Sequence, residues 1–499
     1  MKRIFSSRVF ALAVGLGLRL LFVLEFPATS GDTVLYEQIA TNWLKHHVFA
    51  MDVYGRITPV DMRTPGYPAF LAVIYALAGR VGEPARLAVM LAQIVVDLVG
   101  CLAIAHLARI VTCAAENDAR SERAYTMALW LAVLCPFTAN YTAVPLTEVF
   151  ACLWTALASS VLAVALRRVE KPDFLVRGSH PARTRGVEYA ALGAGLLAGL
   201  GALFRPETPL LLLTAGIVLG VLLFRRREFA RWFLALAAMA VGCLMVLSPW
   251  ALRNLLTLDE VQFLNPEYST LPGELVPYGF MAWERTWLYR VRDCYLVPWK
   301  LNEEAINVDD IPRRAFDSPA ERARVRDILE QYNEDLTLTQ AEDDALGQIA
   351  RERVRHHPLR VFLWIPAARA VVIWFTPRIE LLPISGNVFP LAEMYDEDRV
   401  DQGFTVLFFF LNIVYLGLGV WGAAKLWRSS PAVRPVVAFF VLYILLRTAF
   451  LTTLETPEPR YVLECFPSLI AVGAAAMAGR RGVARGMSPS DPQRVPGVS

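Results

Sequence analysis

Apolar runs long enough to cross a bilayer constrain this chain more than any other feature. At least ten are present, near residues 9–26, 86–110, 124–140, 148–166, 187–204, 208–224, 232–252, 404–427, 433–453 and 461–479. A helix needs about 20 apolar residues to cross a hydrocarbon core of about 30 Å. The composition agrees, because 56% of the residues are hydrophobic and soluble domains have about 45–50%. The sequence therefore predicts an all-α polytopic membrane protein.

Two further apolar runs, 66–79 and 360–377, are shorter or interrupted. The second carries Pro366 and Arg369. Each run fits a full span, a re-entrant segment or an interfacial helix, and hydropathy does not choose between them. The predicted bundle therefore has about 11–13 transmembrane helices.

Basic clusters between the apolar runs predict which loops face the cytoplasm. These clusters are Lys2 with Arg3 and Arg8, the segment Arg167–Arg185, Arg225–Arg227 with Arg231, Lys425 with Arg428 and Arg434, and Arg480 with Arg481. The opposite, extracytoplasmic side then holds the first loop, the tips near Asn140–Glu148 and Arg205–Glu207, the stretch 378–402 and the turn 455–460. Successive loops alternate between the two sides most consistently if neither short apolar run crosses the membrane. The small net charge of +3 gives no indication of a nucleic-acid partner.

The distribution of polar residues predicts four regions. They are an N-terminal transmembrane module (1–252) with its first extracytoplasmic loop (27–65), an extracytoplasmic soluble insert (253–359), a C-terminal transmembrane module (360–481) and a disordered tail (482–499). Aromatic residues early in the insert and a charged, helical stretch later in it are typical of a small domain packed on the membrane. The seven cysteines show no disulfide or zinc spacing.

The first loop carries an acidic residue at the membrane surface. If Thr33–Lys45 is a helix, Asp32, Tyr36 and Ala40 share one face, because they recur every four residues. Asp32 then lies just outside the bilayer, where it fits a catalytic role. The alternative is that Asp32 only caps this helix at its N-terminus.

Further charged residues lie within or at the ends of apolar runs, where charge is costly and marks functional sites. They are Arg19 in the first run, Glu148 at the start of another, Arg205 and Glu207 in LFRPETP, and Arg460 with Tyr461 at the end of ETPEPRY. Each has a structural alternative: a snorkelling side chain, a helix cap or a local ion pair. Together they suit an anionic lipid head group, since arginine binds phosphate with two hydrogen bonds.

The order of these motifs resembles the GT-C superfamily of membrane glycosyltransferases, which use polyprenyl-phosphate sugars. The protein O-mannosyltransferases and the lipid A aminoarabinose transferases are the most similar groups. The resemblance rests on SGDTVLYEQIA, RTPGYPAFLAVIYALAG, YTAVPLTEVF, LFRPETPLLLL and PEPRYVLECFP. It covers residues 1–250 and the last spans, whereas 253–359 matches no family that we recognise.

The resemblance implies that Asp32 is the catalytic base and Glu148 a second functional acid. It also implies that Arg205, Arg460 and Tyr461 bind the donor phosphate or the sugar. Further substrate-binding candidates are Glu207, Arg63, Tyr36 and Arg19.

The reaction so implied moves a sugar from a polyprenyl-phosphate donor to a hydroxyl of an acceptor lipid, glycan or protein, with inversion. It takes place at the extracytoplasmic face of an inner or plasma membrane, among membrane lipids. No cofactor is expected. Because the next acid after Asp32 is Glu37, a metal-binding pair is not evident, although a divalent metal stays open. The alternatives are a flippase for lipid-linked glycans and a polysaccharide transferase similar to O-antigen ligase.

Overall fold

The computed structural model describes residues 2–112, 118–170, 186–266, 268, 270–271, 273–384, 398–429 and 431–479, with side chains from residue 7 onward. The tail predicted over 482–499 lies outside the described residues. So do the basic residues 171–185 and 480–481 and most of the polar stretch 378–402.

Helices dominate the structure, which is 75% helical. The first group is α1 (Lys2–Glu25), α2 (Gly31–His46), α3 (Gly66–Ala78), α4 (Arg86–Val111), α5 (Ala119–Val133), α6 (Pro136–Asn140), α7 (Glu148–Glu170), α8 (Gly186–Ala202), α9 (Leu210–Arg225) and α10 (Phe229–Leu258). The second group is α11 (Tyr278–Arg285), α12 (Val291–Cys294), α13 (Pro319–Asp335), α14 (Gln340–His356), α15 (Ile365–Phe375), α16 (Arg399–Ser429), α17 (Arg434–Leu451) and α18 (Phe466–Met477).

Seven of the described helical stretches are long and apolar enough to cross a membrane. They are Ser7–Glu25, Glu83–Val111, Glu148–Glu170, Phe229–Leu258, Arg399–Ser429, Pro431–Leu451 and Pro459–Met477. Helices α3, α8 and α9 are also apolar but shorter. The chain is an all-α polytopic membrane protein, as the hydropathy predicts.

Two predicted boundaries differ from the structure. The run 124–140 is not one helix, because α5 ends at Val133 and Pro136, which lacks a backbone N–H, begins α6. Helix α10 continues to Leu258, so residues 253–258 belong to this helix and not to the insert. The segment Arg360–Phe375 begins as a π-helix and meets α14 at an angle of 97°. At about 1.5 Å per residue, neither this segment nor α3 reaches across 30 Å.

Backbone hydrogen bonds join the first loop to two other loops at the same end of the bundle. Ala28 N–H donates to Ala143 O at 3.1 Å, and Gly66 N–H donates to Leu203 O at 2.7 Å. Gly66 permits this approach, since a Cβ atom there would come within 2.5 Å of the same carbonyl oxygen. The start of α3 is therefore fixed against the α8–α9 connection.

The first loop also contains a β-hairpin that the sequence reading did not predict. Strands β1 (Ala50–Val53) and β2 (Arg56–Pro59) pair antiparallel, with Ala50 opposite Pro59. Tyr54 and Gly55 both have positive φ, 52° and 77°, as a two-residue type I′ turn requires. The side chain of Arg253 in α10 donates to Phe49 O at 2.6 Å, which attaches the hairpin to the bundle.

The region between α10 and α15 has a hydrophobic core of its own. Trp283, Trp287 and Tyr332 are fully buried in it, and the buried Arg353 donates to Glu321 at 2.6 Å. The buried side chain of Arg369 in α15 joins this core to the membrane helices. It donates to Leu288 O at 2.8 Å and to Thr452 O at 3.1 Å.

Candidate functional site

Asp32 lies in the first turn of α2 without capping it. The N-cap position belongs to Ser30, whose backbone N–H donates to Thr33 Oγ1 at 3.1 Å. The two carboxylate oxygens of Asp32 instead accept hydrogen bonds from two arginines: Oδ1 from Arg63 at 2.8 Å and Oδ2 from Arg460 at 2.9 Å. The interpretation of Asp32 as a helix cap is therefore wrong. Its side chain points towards residues from the first loop and from the last module.

Arg460 is the residue that joins the acids of the site. It lies in the short 3₁₀-helix Pro459–Cys465, just before α18. Besides Asp32, it contacts Glu458, with Nε 2.5 Å from Oε2, and Glu148, with Nη1 3.7 Å from Oε1. Tyr461 donates its hydroxyl to Glu458 Oε1 at 2.8 Å. Glu458 therefore holds Arg460 and Tyr461 in place together.

Glu148 and Arg205 form a second ion pair beside the first. Glu148 is the first residue of α7 and only 3% exposed, and its Oε1 accepts from Arg205 Nη2. The other oxygen, Oε2, is buried and has no hydrogen-bond partner in the described part of the chain. The guanidinium of Arg205 lies 5.1 Å from the centre of the Tyr461 ring. A cation–π contact of this kind helps to fix the direction of the guanidinium.

These residues surround an open cavity of about 370 Å³, which we call the site cavity. Of the residues predicted from sequence, those that line it are Asp32, Tyr36, Arg63, Arg205, Glu207, Arg460 and Tyr461. Glu148 lies directly behind them, paired with Arg205. The structure thus gathers five separate segments of the chain at one end of the bundle.

Arg19 is the predicted site residue that the structure places elsewhere. It is fully buried between α1, α4 and α5, where its Nε donates to Asp97 at 2.6 Å and its Nη1 donates to Val133 O at 2.6 Å. These are the contacts of a structural ion pair. Arg19 does not line the site cavity.

The electrostatics of the cavity fix the charge state of Asp32. Burial favours the neutral acid, but Arg460 and Arg63 outweigh this effect and lower the pKa of Asp32 to about 2. Burial likewise disfavours the charge on Arg205, yet the carboxylates of Glu148 and Glu207 raise its pKa above the ordinary value. The site therefore presents the carboxylate of Asp32 and the guanidinium of Arg205 in their ionised forms at neutral pH.

Sequence reasoning missed two acids of this site. Glu455 lines the site cavity and pairs with Arg285, and Glu458 holds Arg460. Both belong to ETPEPRY, where prolines at 457 and 459 restrict the backbone on either side of Glu458. The two prolines on either side of Glu458 were the sequence feature that could have marked this acid as a site residue. With Glu455 and Glu458, the site has more carboxylates than arginines.

Within the part of the chain that the structure describes, no group of three or more histidine, cysteine, aspartate or glutamate side chains is arranged to hold a metal ion. The expectation of metal-independent chemistry stays a prediction.

Comparison with known proteins gives structural neighbours only. No family model and no curated protein matches the sequence. Among solved structures, the chain is similar to the archaeal oligosaccharyltransferase AglB from Archaeoglobus fulgidus in complex with an inhibitory peptide and a dolichol-phosphate. The identity is 13% and the TM-score 0.48, over 95% of this chain and 50% of that chain. It is also similar to ArnT from Cupriavidus metallidurans, in the apo state and bound to undecaprenyl phosphate. The identities are 17% and 16% and the TM-scores 0.38 and 0.36, over 94% of this chain and 77% of that chain.

The chain spans about half the length of AglB.

Proposed function

We propose that this protein is a membrane glycosyltransferase that moves a sugar from a polyprenyl-phosphate donor to an acceptor hydroxyl. One observation carries the proposal: Asp32, at one end of the bundle, accepts hydrogen bonds from Arg63 and Arg460 in an open cavity. A carboxylate there can accept the acceptor's proton, and the arginines can hold the donor phosphate.

The reaction follows from these groups. The acceptor oxygen attacks the anomeric carbon while its proton passes to the carboxylate of Asp32. The bond between the anomeric carbon and the phosphate oxygen breaks, and the lipid leaves as polyprenyl phosphate. The negative charge on that phosphate grows in the transition state, so arginine donors lower the barrier. One displacement gives inversion, because no covalent sugar–enzyme intermediate forms.

Donor binding also prepares the base. A carboxylic acid with a pKa of about 2 is a weak proton acceptor at neutral pH, since general bases work best with a pKa near the working pH. A donor phosphate attracts the same guanidinium groups that hold Asp32. Drawing Arg460 and Arg63 towards the phosphate weakens their hold on Asp32 and raises its pKa when substrate is present.

Glu148 and Arg205 are assigned to orienting the substrate. Glu148 has one oxygen on Arg205 and a buried oxygen without a partner in the described residues. A buried acceptor without a donor costs free energy unless a ligand or water satisfies it. A sugar hydroxyl has the matching chemistry. Glu207 and Tyr36 line the same cavity and complete its polar wall.

A transporter is the competing function. It would need polar groups along a path through the bundle. Below the site, the charged pairs Arg447–Glu464 and Arg19–Asp97 are closed contacts of 2.7 Å and 2.5 Å with fully buried arginines. The open, charged cavity lies at one end of the bundle, which favours chemistry on one side of the membrane, in our assignment the extracytoplasmic side.

A direct assay tests the proposal. The purified protein is incubated with a panel of polyprenyl-phosphate sugars and candidate acceptors, and release of free polyprenyl phosphate is measured. Transfer predicts release that depends on both donor and acceptor. Movement of an intact donor across a vesicle membrane without any release would contradict it and support the flippase.

A further inference from the structure

A second cavity, of about 530 Å³, lies outside the site, at the bend where α14 meets the segment Arg360–Phe375. We call it the elbow groove. One wall of the groove is α11 and the other is α14. The two helices can approach closely because Gly279 has no side chain; a Cβ atom there would lie 1.8 Å from Asp343 O. Small and apolar side chains such as Ala350, Val354 and Phe362 line its length. The groove has the size and apolar lining of a small-ligand site.

Unpaired positive charge marks one rim of the elbow groove. Arg351 and Arg355, one helical turn apart on α14, both line it and are exposed. Neither forms an ion pair with any acid among the described residues. The guanidinium of Arg351 folds over the groove floor, where its Nη1 would lie 3.5 Å from a Cβ atom on Gly347.

The acids in the groove, by contrast, are occupied. Asp343 accepts from the backbone N–H groups of Gly279 and Phe280 at 2.9 Å and 2.8 Å. Asp344 accepts from the side chain of Gln340 at 2.9 Å. Both acids are thus held by neutral donors. Arg351 and Arg355 have no ion-pair partner among the described residues, so they are the groups in this groove that can pair with an anionic ligand.

The residues after the bend indicate that the elbow groove lies at the membrane surface. Directly after the bend, Leu359, Phe362 and Trp364 are 70%, 71% and 66% exposed, which an aqueous surface would disfavour. Further along, Trp374 donates to Thr448 at 2.9 Å, near the end of the membrane helix α17. The segment therefore descends into the bilayer from the bend, with aromatic residues at the depth where they favour the interface.

We propose that the elbow groove binds an anionic glycerophospholipid of the surrounding leaflet. Its phosphate lies on Arg351 and Arg355, and one acyl chain packs along Ala350, Val354 and Phe362. Apolar lining, free positive charge and a position at the membrane surface each match one part of such a lipid, and a soluble anion matches only one of the three. Lipid binding here does not depend on the transfer reaction.

Photo-crosslinking tests this site. The full chain is reconstituted with a phosphatidylglycerol or a phosphatidylcholine that carries a diazirine in one acyl chain, and crosslinks within residues 340–375 are quantified by mass spectrometry. An attraction of about 1 kcal/mol per arginine near a membrane surface predicts a loss of at least about tenfold when two are removed. We expect that loss of phosphatidylglycerol crosslinking in Arg351→Gln/Arg355→Gln. Phosphatidylcholine crosslinking should be weaker and unchanged by these substitutions.

The matched control is Arg322→Gln/Arg326→Gln, two arginines with the same spacing on α13 that pair with Asp309 and do not line the groove. We expect crosslinking within twofold of the unmodified protein. Equal losses in both double variants would overturn the proposal, as would equal labelling by the two lipids. If free glycerol phosphate competed as strongly as phosphatidylglycerol, the acyl chain would not contribute to binding, and this part of the proposal would be overturned. If the unmodified protein formed a dimer and Arg351→Gln/Arg355→Gln were monomeric, the groove would be a contact with a second copy of the chain, and the lipid proposal would be overturned.

Discussion

Asp32 and Arg460 lie 428 positions apart in the chain, and their side chains meet at 2.9 Å. This contact joins the first loop to the last module and brings a carboxylate and a guanidinium to one cavity wall. The site therefore exists only when the N-terminal and C-terminal parts of the chain have folded together.

Removal of Arg460 should weaken donor binding more than it weakens folding. Arg460→Gln takes away a charged donor, and a hydrogen bond to a charged group contributes about 1.5–3 kcal/mol. We expect the KM for the donor to rise about tenfold or more. Glu458→Gln keeps Arg460 but replaces the carboxylate of its 2.5 Å ion pair with a neutral amide, and it should give a smaller rise in the same steady-state assay. An unchanged KM in Arg460→Gln would remove Arg460 from the donor site.

The pH dependence of transfer should reveal the two arginines that hold Asp32. The folded-state pKa of Asp32, about 2, lies below its ordinary value. Ionised Asp32 therefore stabilises the fold above about pH 4, and this contribution is lost as the pH falls towards 2. We expect no loss of kcat/KM from Asp32 protonation between pH 7 and 5.

In Arg63→Gln the pKa of Asp32 should rise, so the acid limb of kcat/KM moves to higher pH. Arg63→Lys keeps the positive charge and serves as the matched control, with a smaller shift. Superimposable pH profiles for the three proteins would show that Arg63 does not set the charge state of the catalytic base.

The Arg19–Asp97 pair should govern stability without governing donor binding. Both side chains are buried, and removal of one partner leaves an isolated charge at a cost of about 3–5 kcal/mol. We expect Arg19→Met to lower the thermal unfolding midpoint in detergent strongly, and Arg19→Met/Asp97→Leu to recover part of it. The KM for the donor should stay the same in the folded fraction of either variant. A raised KM would restore Arg19 to the phosphate site.

Gly66 tests how closely the first loop must approach the α8–α9 connection. Its Cβ position lies 2.5 Å from Leu203 O, two residues before Arg205. Gly66→Ala should therefore displace that segment, with a loss of about 1–3 kcal/mol in the free energy of unfolding and a lower rate of transfer. Gly417→Ala is the matched control, because a Cβ atom there meets no atom within 4 Å. Equal stability of the two variants would show that the approach is adaptable.

The sequence predicted the parts of this protein that depend on hydropathy and local pattern. The apolar runs found the membrane helices, and the helix supposed over Thr33–Lys45 is present as α2 (Gly31–His46). Pairings between distant segments leave no local pattern. The partner of Arg19 is a single aspartate, Asp97, in the middle of an apolar helix, and Glu458 becomes a site residue only when Arg460 turns towards Asp32. The β-hairpin was missed because it is short and only Tyr54–Gly55 indicates its turn.

One measurement tests the central claim most directly: release of polyprenyl phosphate from a lipid-linked sugar donor by Asp32→Asn. Asparagine preserves the shape of the side chain and cannot take up the acceptor's proton. The control is Asp52→Asn, an exposed aspartate in β1 of the same loop. General-base catalysis contributes about 10²–10⁴ in rate, so we predict a loss of that size in Asp32→Asn and full activity in Asp52→Asn. Full activity in a folded Asp32→Asn would contradict the assignment of Asp32 as the base.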